Sequence, residues 1–287
     1  MAKSRKQPVG FSSVFVSSLA LLRMKKNVVG VAILCFALLS AIVSTFTGQA
    51  VSTLEDRITT DAGISWEQLQ VTIDKRLAVF DERDAAVLVR HMTMRDWKET
   101  TSPDSQPNDD AFKFIVNVAP WVFLSFLFNM TILFIACVFF LLLAGGSVVS
   151  GYEVVCRLPM MTLRMLLLMF WFFVRSFLWI PFVGPLIAFV MVPRLVLAPA
   201  ILASGSMGIF ESLRESMRRT KHHWFRVIAS LLGLAVVSAA TLFLLIILVS
   251  LVSLLSIKLG FLLWLLLFFG TVSFQMFFLM ILSERMA

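Results

Sequence analysis

The sequence predicts an all-α fold: a polytopic membrane helical bundle of about six transmembrane helices, with a small helical insertion outside the membrane between the first two. Three observations lead there. Of the 287 residues, 59% are hydrophobic and only 15% charged, and the mean hydropathy is +0.92. A soluble domain is about a quarter charged and could not bury this much apolar surface. The apolar residues come in blocks of the ~20 residues that a helix needs to cross a hydrocarbon core of ~30 Å, and the charges are segregated between those blocks.

Residues 1–27 form a basic, amphipathic N-terminal segment, followed by a first span at 28–47. That apolar run lies far in and no small-residue cleavage pattern follows it, so it reads as an anchor rather than a signal peptide. Residues 48–113 form an acidic insertion, and residues 114–287 a five-helix membrane domain. Within it the spans are 114–144, 162–180, 185–203, 227–256 and 260–282, with an interfacial helix at 206–224. The third and fourth spans are short and joined by "PFVGP", whose Pro181, Gly184 and Pro185 favour a tight break.

Charge sets the orientation. The N-terminus, the 145–164 and 204–226 loops and the C-terminus hold 14 Lys/Arg and four acids, whereas 48–113 holds 8 Lys/Arg and 13 acids. By the positive-inside rule both termini are cytoplasmic and the insertion is external. The formal net charge of +8 is therefore a topology signal that attracts anionic headgroups at the cytoplasmic face, and no nucleic-acid partner is needed to explain it. In the insertion, Ser65 and Gln68 of "SWEQ" read as a capping box. Leu69, Ile73, Leu77, Phe80, Val87 or Leu88, and Met92 follow at helical spacing. This amphipathic piece, 65–95, needs a surface for its stripe, either the bilayer or a protein partner. "TTSPDSQPNDD", 100–110, reads as a flexible linker back to the membrane.

"GIFESLRESMRRTKHHWFRV", 208–227, is the most chemical-looking stretch. Ile209 or Phe210, Leu213, Met217 and Trp224 share one helical stripe; Glu211, Arg214, Glu215, Arg218, Arg219 and His222 fall on the other. Its cations Arg214, Arg218, Arg219, Lys221 and Arg226 fit a membrane surface, with Trp224 at headgroup level. His222 and His223 are adjacent and point about 100° apart on a helix, so they do not share a metal face as i,i+4 histidines do.

The stretch from Ile180 to Leu234, "IPFVGPLIAFVMVPRLVLAPAILASGSMGIFESLRESMRRTKHHWFRVIASLLGL", resembles the pattern of uncharacterised bacterial six-span membrane proteins of the YciC type. It is also similar to the membrane domain attached to some glycerophosphodiester phosphodiesterases. In that pattern a Pro-Gly break starts a helix with an internal Arg, and a short amphipathic segment then leads into an aromatic-basic start of the next span. Ser212, Ser216, Arg218, Lys221, Trp224 and Arg226 fit it. "FNMTILFIACVFFLLLAGGSVVSGYEVVCRLP", 128–159, resembles a second block of related proteins, where a double Gly opens a cytoplasmic helix; Ser150 and Glu153 make its capping box here. The resemblance covers roughly residues 115–250 and not 48–113. It implies a multi-pass protein of the bacterial inner (cytoplasmic) membrane and carries no established reaction.

No Asp, Glu or His lies inside a span as drawn, which argues against a carboxylate proton relay or an aspartyl intramembrane protease. There is no P-loop, HExxH or G-x-S-x-G. Cys35, Cys137 and Cys156 have no metal spacing and imply no disulfide framework. "NMT", 129–131, matches a glycosylation acceptor but lies mid-span. The expectation is no enzyme, no cofactor and no metal. Two cations remain inside spans, Arg175 and Arg194, on either side of the "PFVGP" break. Arg194 stands between Pro193 and Pro199, which strip the carbonyls of Phe189 and Leu195 of their helical donors. In one reading Arg194 bonds freed carbonyls while Arg175 snorkels; in the other the pair forms an anion site for a lipid phosphate.

Two function classes fit. The first, which the missing chemistry favours, is a membrane scaffold or accessory subunit of an envelope complex. The second is a protein that binds or transports a lipid or amphiphile, with its anion site near Arg175 and Arg194, because interrupted helices line binding sites in transporters. The orientation is testable with single cysteines at Ser105 and Ser4 in a background lacking the native three. Ser105→Cys is expected to react with an impermeant thiol reagent in intact cells, and Ser4→Cys only after lysis. The reverse pattern would overturn the orientation.

Overall fold

In lipid a backbone N–H or C=O has no water to bond, and a helix satisfies both within one segment; long apolar runs free of breakers therefore become helices. The computed structural model describes residues 10–62, 67, 70–71, 107–145, 151–177, 193–205, 207–221 and 223–287. Among these there are helices and no strand. In order they are α1 (Phe11–Met24), α2 (Lys26–Ala62), α3 (Pro107–Gly145), α4 (Gly151–Phe177), α5 (Ala198–Ala203), α6 (Ile209–Thr220), α7 (Trp224–Ser253) and α8 (Ile257–Arg285). Five of them, α2, α3, α4, α7 and α8, are long and apolar enough to cross a membrane. The protein is an all-α helical bundle.

The boundaries differ from expectation where capping chemistry or breakers decide. α2 continues past Thr47 to Ala62, because after Gly48 the sequence has no Gly or Pro before Gly63. α3 starts at Pro107 rather than 114, so the last four residues of the expected linker are helical. Pro is pre-organised for a first helical turn. α4 joins the expected cytoplasmic helix to the expected third span through Pro159, at the cost of one backbone bond to Val155. The described part of the expected fourth span, 185–203, is the short apolar helical stretch Pro193–Ala203, with a turn at Val196 and Leu197 before α5. The "PFVGP" break, Ser150, His222 and the amphipathic segment 65–95, apart from residues 67 and 70–71, lie outside the described residues.

The chain divides into two compact units, 40–131 and the remainder. In the first, α2 and α3 are joined by polar side chains. Ser40 Oγ donates to Asn129 Oδ1, and Asn129 Nδ2 donates to the Ser125 carbonyl at 2.9 Å. Such pairs hold helices together where burial supplies no driving force, and they occupy the Asn of "NMT".

In the second unit the N-terminal segment, expected as a basic, amphipathic piece, is packed into the bundle as α1. Val14 is fully buried with Leu197, Ile201, Val227, Phe278 and Leu282, and Phe11 and Phe15 lie 5.7 and 5.1 Å from the rings of Phe278 and Phe274. Arg285, at the end of α8, donates from its two Nη atoms to Ser13 and Ser17 Oγ, both at 2.6 Å. α1 also meets α7 at Gly233, where a Cβ would fall 2.8 Å from the Phe11 ring. α7 and α8 form a tight hairpin at Gly260, whose Cβ would be 3.1 Å from Ser253 Cα; only Gly fits such an approach. Between α1 and α2, Lys25 Nζ donates to the Leu143 carbonyl near the end of α3, and burial pulls its pKa below the ordinary lysine value. The outward face of α7, from Leu232 to Leu251, is exposed and apolar, as a lipid-facing surface is.

Arg285→Gln removes both bonds to α1. At about 1.5–3 kcal/mol for a hydrogen bond to a charged group, the variant is expected to melt earlier in detergent and to be cut faster by protease within α1. An unchanged Tm would show that aromatic packing alone holds α1.

Candidate functional site

The chemistry gathers where the chain breaks before α5. Pro199 has no N–H to give the Leu195 carbonyl, and the chain turns at Val196 and Leu197. The Arg194 carbonyl is taken over by α6: Ser216 Oγ donates to it at 2.6 Å. Thr220 Oγ1, which donates to the Ser216 carbonyl at 2.9 Å, lies 3.4 Å from the same oxygen. Ser212, Ser216 and Thr220 are spaced four apart and fully buried. This hydroxyl face, with Leu213, is the inward face of α6; Phe210 is 66% exposed. Small side chains allow the close helix approach that carbonyl capture requires.

α6 begins with Glu211 accepting from the Gly208 N–H at 3.0 Å, half of a capping box. Its cations are not equivalent. Arg214, Arg218, Lys221 and Arg226 are exposed, as a membrane-surface role requires. Arg219 is not on the surface, contrary to expectation, because its planar fork has two acceptors inside. With its side chain only 16% exposed, it donates to Glu215 at 2.8 Å and to the Ser283 carbonyl of α8 at 2.8 Å. Arg218 shares Glu215 at 2.6 Å. Hydrogen bonds from Arg218 and then Arg219 hold the Glu215 carboxyl at about 2, well below the usual carboxylate range and against the opposing effect of burial.

Arg194 Nε is buried and has no hydrogen-bond partner among the described residues, and the same is true of Trp224 Nε1 at the start of α7; the Phe189 carbonyl lies outside the described residues. Arg175 is on α4, but its side chain lies outside the described residues. Among the described residues no group of three or more His, Cys, Asp or Glu is arranged to hold a metal.

Leu195 and Val196, which follow Arg194 in the chain, line a cavity of about 320 Å³. Its described walls come from α3, α4, α8 and the break, including Phe134, Cys137, Met165, Leu195, Pro199 and Met276. The lining is apolar throughout. The sequence carried a signal for this site: Met161, Met165 and Met169 recur every four residues on one face of α4, but in an apolar helix that spacing reads equally as core. No protein-family model, curated protein or solved structure matches the chain.

Glu215 has a folded pKa below its ordinary value, so its contribution is complete above about 4.5 and lost as pH falls toward about 2. Glu215→Gln is expected to be less stable than the native protein at pH 6, with the gap in Tm closing below pH ~4.5. A gap independent of pH would show that the carboxylate charge is irrelevant. Ser216→Ala, which leaves the Arg194 carbonyl with only the longer Thr220 contact, is expected to cost about 1–3 kcal/mol in detergent unfolding; a neutral result would mean Thr220 or water replaces the hydroxyl.

Proposed function

We propose that the protein is a multi-pass membrane protein without catalytic chemistry that binds an anionic, single-chain-sized portion of an amphiphile from its own bilayer. The observation that supports this reading over a scaffold is the apolar cavity lined by Leu195, the residue after Arg194. Its volume of about 320 Å³ lies at the lower end of the ~300–1,000 Å³ typical of ligand sites. An apolar wall offers hydrocarbon a place and water no partner, so an acyl chain suits it. The donor for a headgroup is Arg194, the residue preceding Leu195 of the wall, whose buried Nε has no partner. A buried donor left unbonded costs about 1–3 kcal/mol, which an acidic headgroup would recover. The exposed Arg214, Lys221 and Arg226 suit anionic headgroups of the cytoplasmic leaflet of a bacterial inner membrane. A scaffold role would rest on the partner-seeking segment 65–95.

The test is native mass spectrometry after mild-detergent purification of the native protein, Arg194→Lys, Arg194→Met and Leu168→Trp, the last filling the cavity. The native protein is expected to retain an anionic lipid. Lys, which lacks the bidentate fork, keeps it weakly; Met retains lipid without preference for anions, and Leu168→Trp retains none. Equal retention by all four would overturn the proposal and leave Arg194 as architecture.

A further inference from the structure

α4 is long enough to cross the membrane, but both ends of a 30 Å stretch of it touch the same end of the bundle. At its start, Gly151 packs against Val28, whose Cγ1 lies 3.3 Å from the position of a Gly151 Cβ. Val28 is three residues from Lys25, which is bonded to Leu143 at the end of α3. Twenty residues later, ~30 Å along the helix at 1.5 Å per residue, Trp171 stands edge-on to Phe210 with ring centroids 5.4 Å apart. Phe210 is the second residue of α6, and Arg219 of the same helix bonds Ser283, two residues from the end of α8. From Phe210 to Arg219 is only ~14 Å, so Trp171 lies far closer to that end of the bundle than a perpendicular helix would carry it. The cavity repeats the mismatch. Met165 of α4 lines it ~21 Å from Gly151, opposite Leu141, which is ~6 Å from the end of α3, and Leu279, which is ~9 Å from the end of α8.

The side chains of α4 fall into three sectors, and each faces a different medium. Val154, Met161, Met165 and Leu168 are buried in the protein. Arg157, Arg164 and Trp171 repeat every seven residues along one line, with Glu153 beside them paired to Arg157. Val155, Leu163, Leu166 and Phe170 form a third, apolar line and are 51–66% exposed. A spanning helix needs no polar line, and it would carry Arg164 ~20 Å inward, where an arginine costs at least ~2.5–3.5 kcal/mol. A helix lying in the interface requires this division into protein, headgroup and acyl-chain faces.

We propose that α4 does not cross the bilayer but lies in its plane, at the end of the bundle where α1 meets the end of α8. Arg157 and Arg164 face the lipid headgroups, and Leu163 and Phe170 enter the acyl region. α2, α3, α7 and α8 are then the long helices that cross, and α4 covers the cavity from within a single leaflet.

The test is collision-based depth measurement on the full chain in vesicles of phosphatidylethanolamine and phosphatidylglycerol. Nitroxides are placed at native Cys156 and at Leu163→Cys and Phe170→Cys, seven residues apart on one side of α4. The other native cysteines are replaced by Ser or Ala in each variant. An in-plane helix gives three similar depths, all within the ~5–10 Å of interfacial immersion. Depths that increase by about 10 Å from each site to the next would overturn the proposal. If a label at Phe170 prevents assembly, Arg164→Cys decides: reaction with an impermeant maleimide as fast as Lys221→Cys supports an in-plane α4, and no reaction overturns it. Neither readout depends on whether the cavity binds an amphiphile.

Discussion

One carbonyl oxygen organises the second unit. Pro199 has no N–H for the Leu195 carbonyl and disturbs the helix around it, and a backbone oxygen left bare in a dry interior costs about 1–3 kcal/mol. Ser216 bonds the neighbouring Arg194 carbonyl from a different helix, with Thr220 beside it, which fixes α6 against the break in one rotational setting. From there the constraint passes outward. The setting that turns Ser212, Ser216 and Thr220 inward carries Arg219 to the Ser283 carbonyl. α8 is thereby tied at its last turn from one side by α6 and from the other by α1, through Arg285.

These ties share one chemistry. Side-chain donors reach carbonyls at a break or near a helix end: Lys25 to Leu143, Ser216 to Arg194 and Arg219 to Ser283. Four carbonyls at each helix C-terminus have no intrahelical partner, and a charged donor there also opposes the negative end of the helix dipole. Where hydrocarbon surrounds the helices, apolar contact contributes little to association, and such polar contacts choose which helix ends meet. The basic residues at this end of the bundle therefore divide between two roles. Lys25, Arg219 and Arg285 are spent on internal acceptors, while Arg214, Arg218, Lys221 and Arg226 remain exposed.

How far the sequence could be read follows from which signals are local. The span positions of α7 and α8 are legible to within three residues, because Ser256 caps α8 and both helices are long uninterrupted apolar runs. Apolar residues at helical spacing gave α6 as an element. Its packed face was not legible because hydrophobicity is a poor guide to burial when the partner is a carbonyl: Ser216 and Thr220 are buried by what they bond, and Phe210 is exposed and meets Trp171. Arg219 was indistinguishable from Arg218 for the same reason. Adjacent in sequence, they differ only in that one can reach Ser283, a residue 64 positions away. The docking of α1 was likewise illegible, since a basic amphipathic helix fits a membrane surface as well as a groove.

The composition of the cavity sets what kind of selectivity the site can have. Three of its described residues, Met165, Met169 and Met276, are methionines, unbranched and polarizable side chains that adapt to irregular shapes. Such a wall discriminates weakly between chain lengths, for a methylene more or less is worth only about 0.8 kcal/mol. A guanidinium with an unsatisfied donor discriminates strongly, because a ligand without a matching acceptor leaves the desolvation cost in place. Specificity at this site would then reside in the headgroup, and the tail would supply affinity.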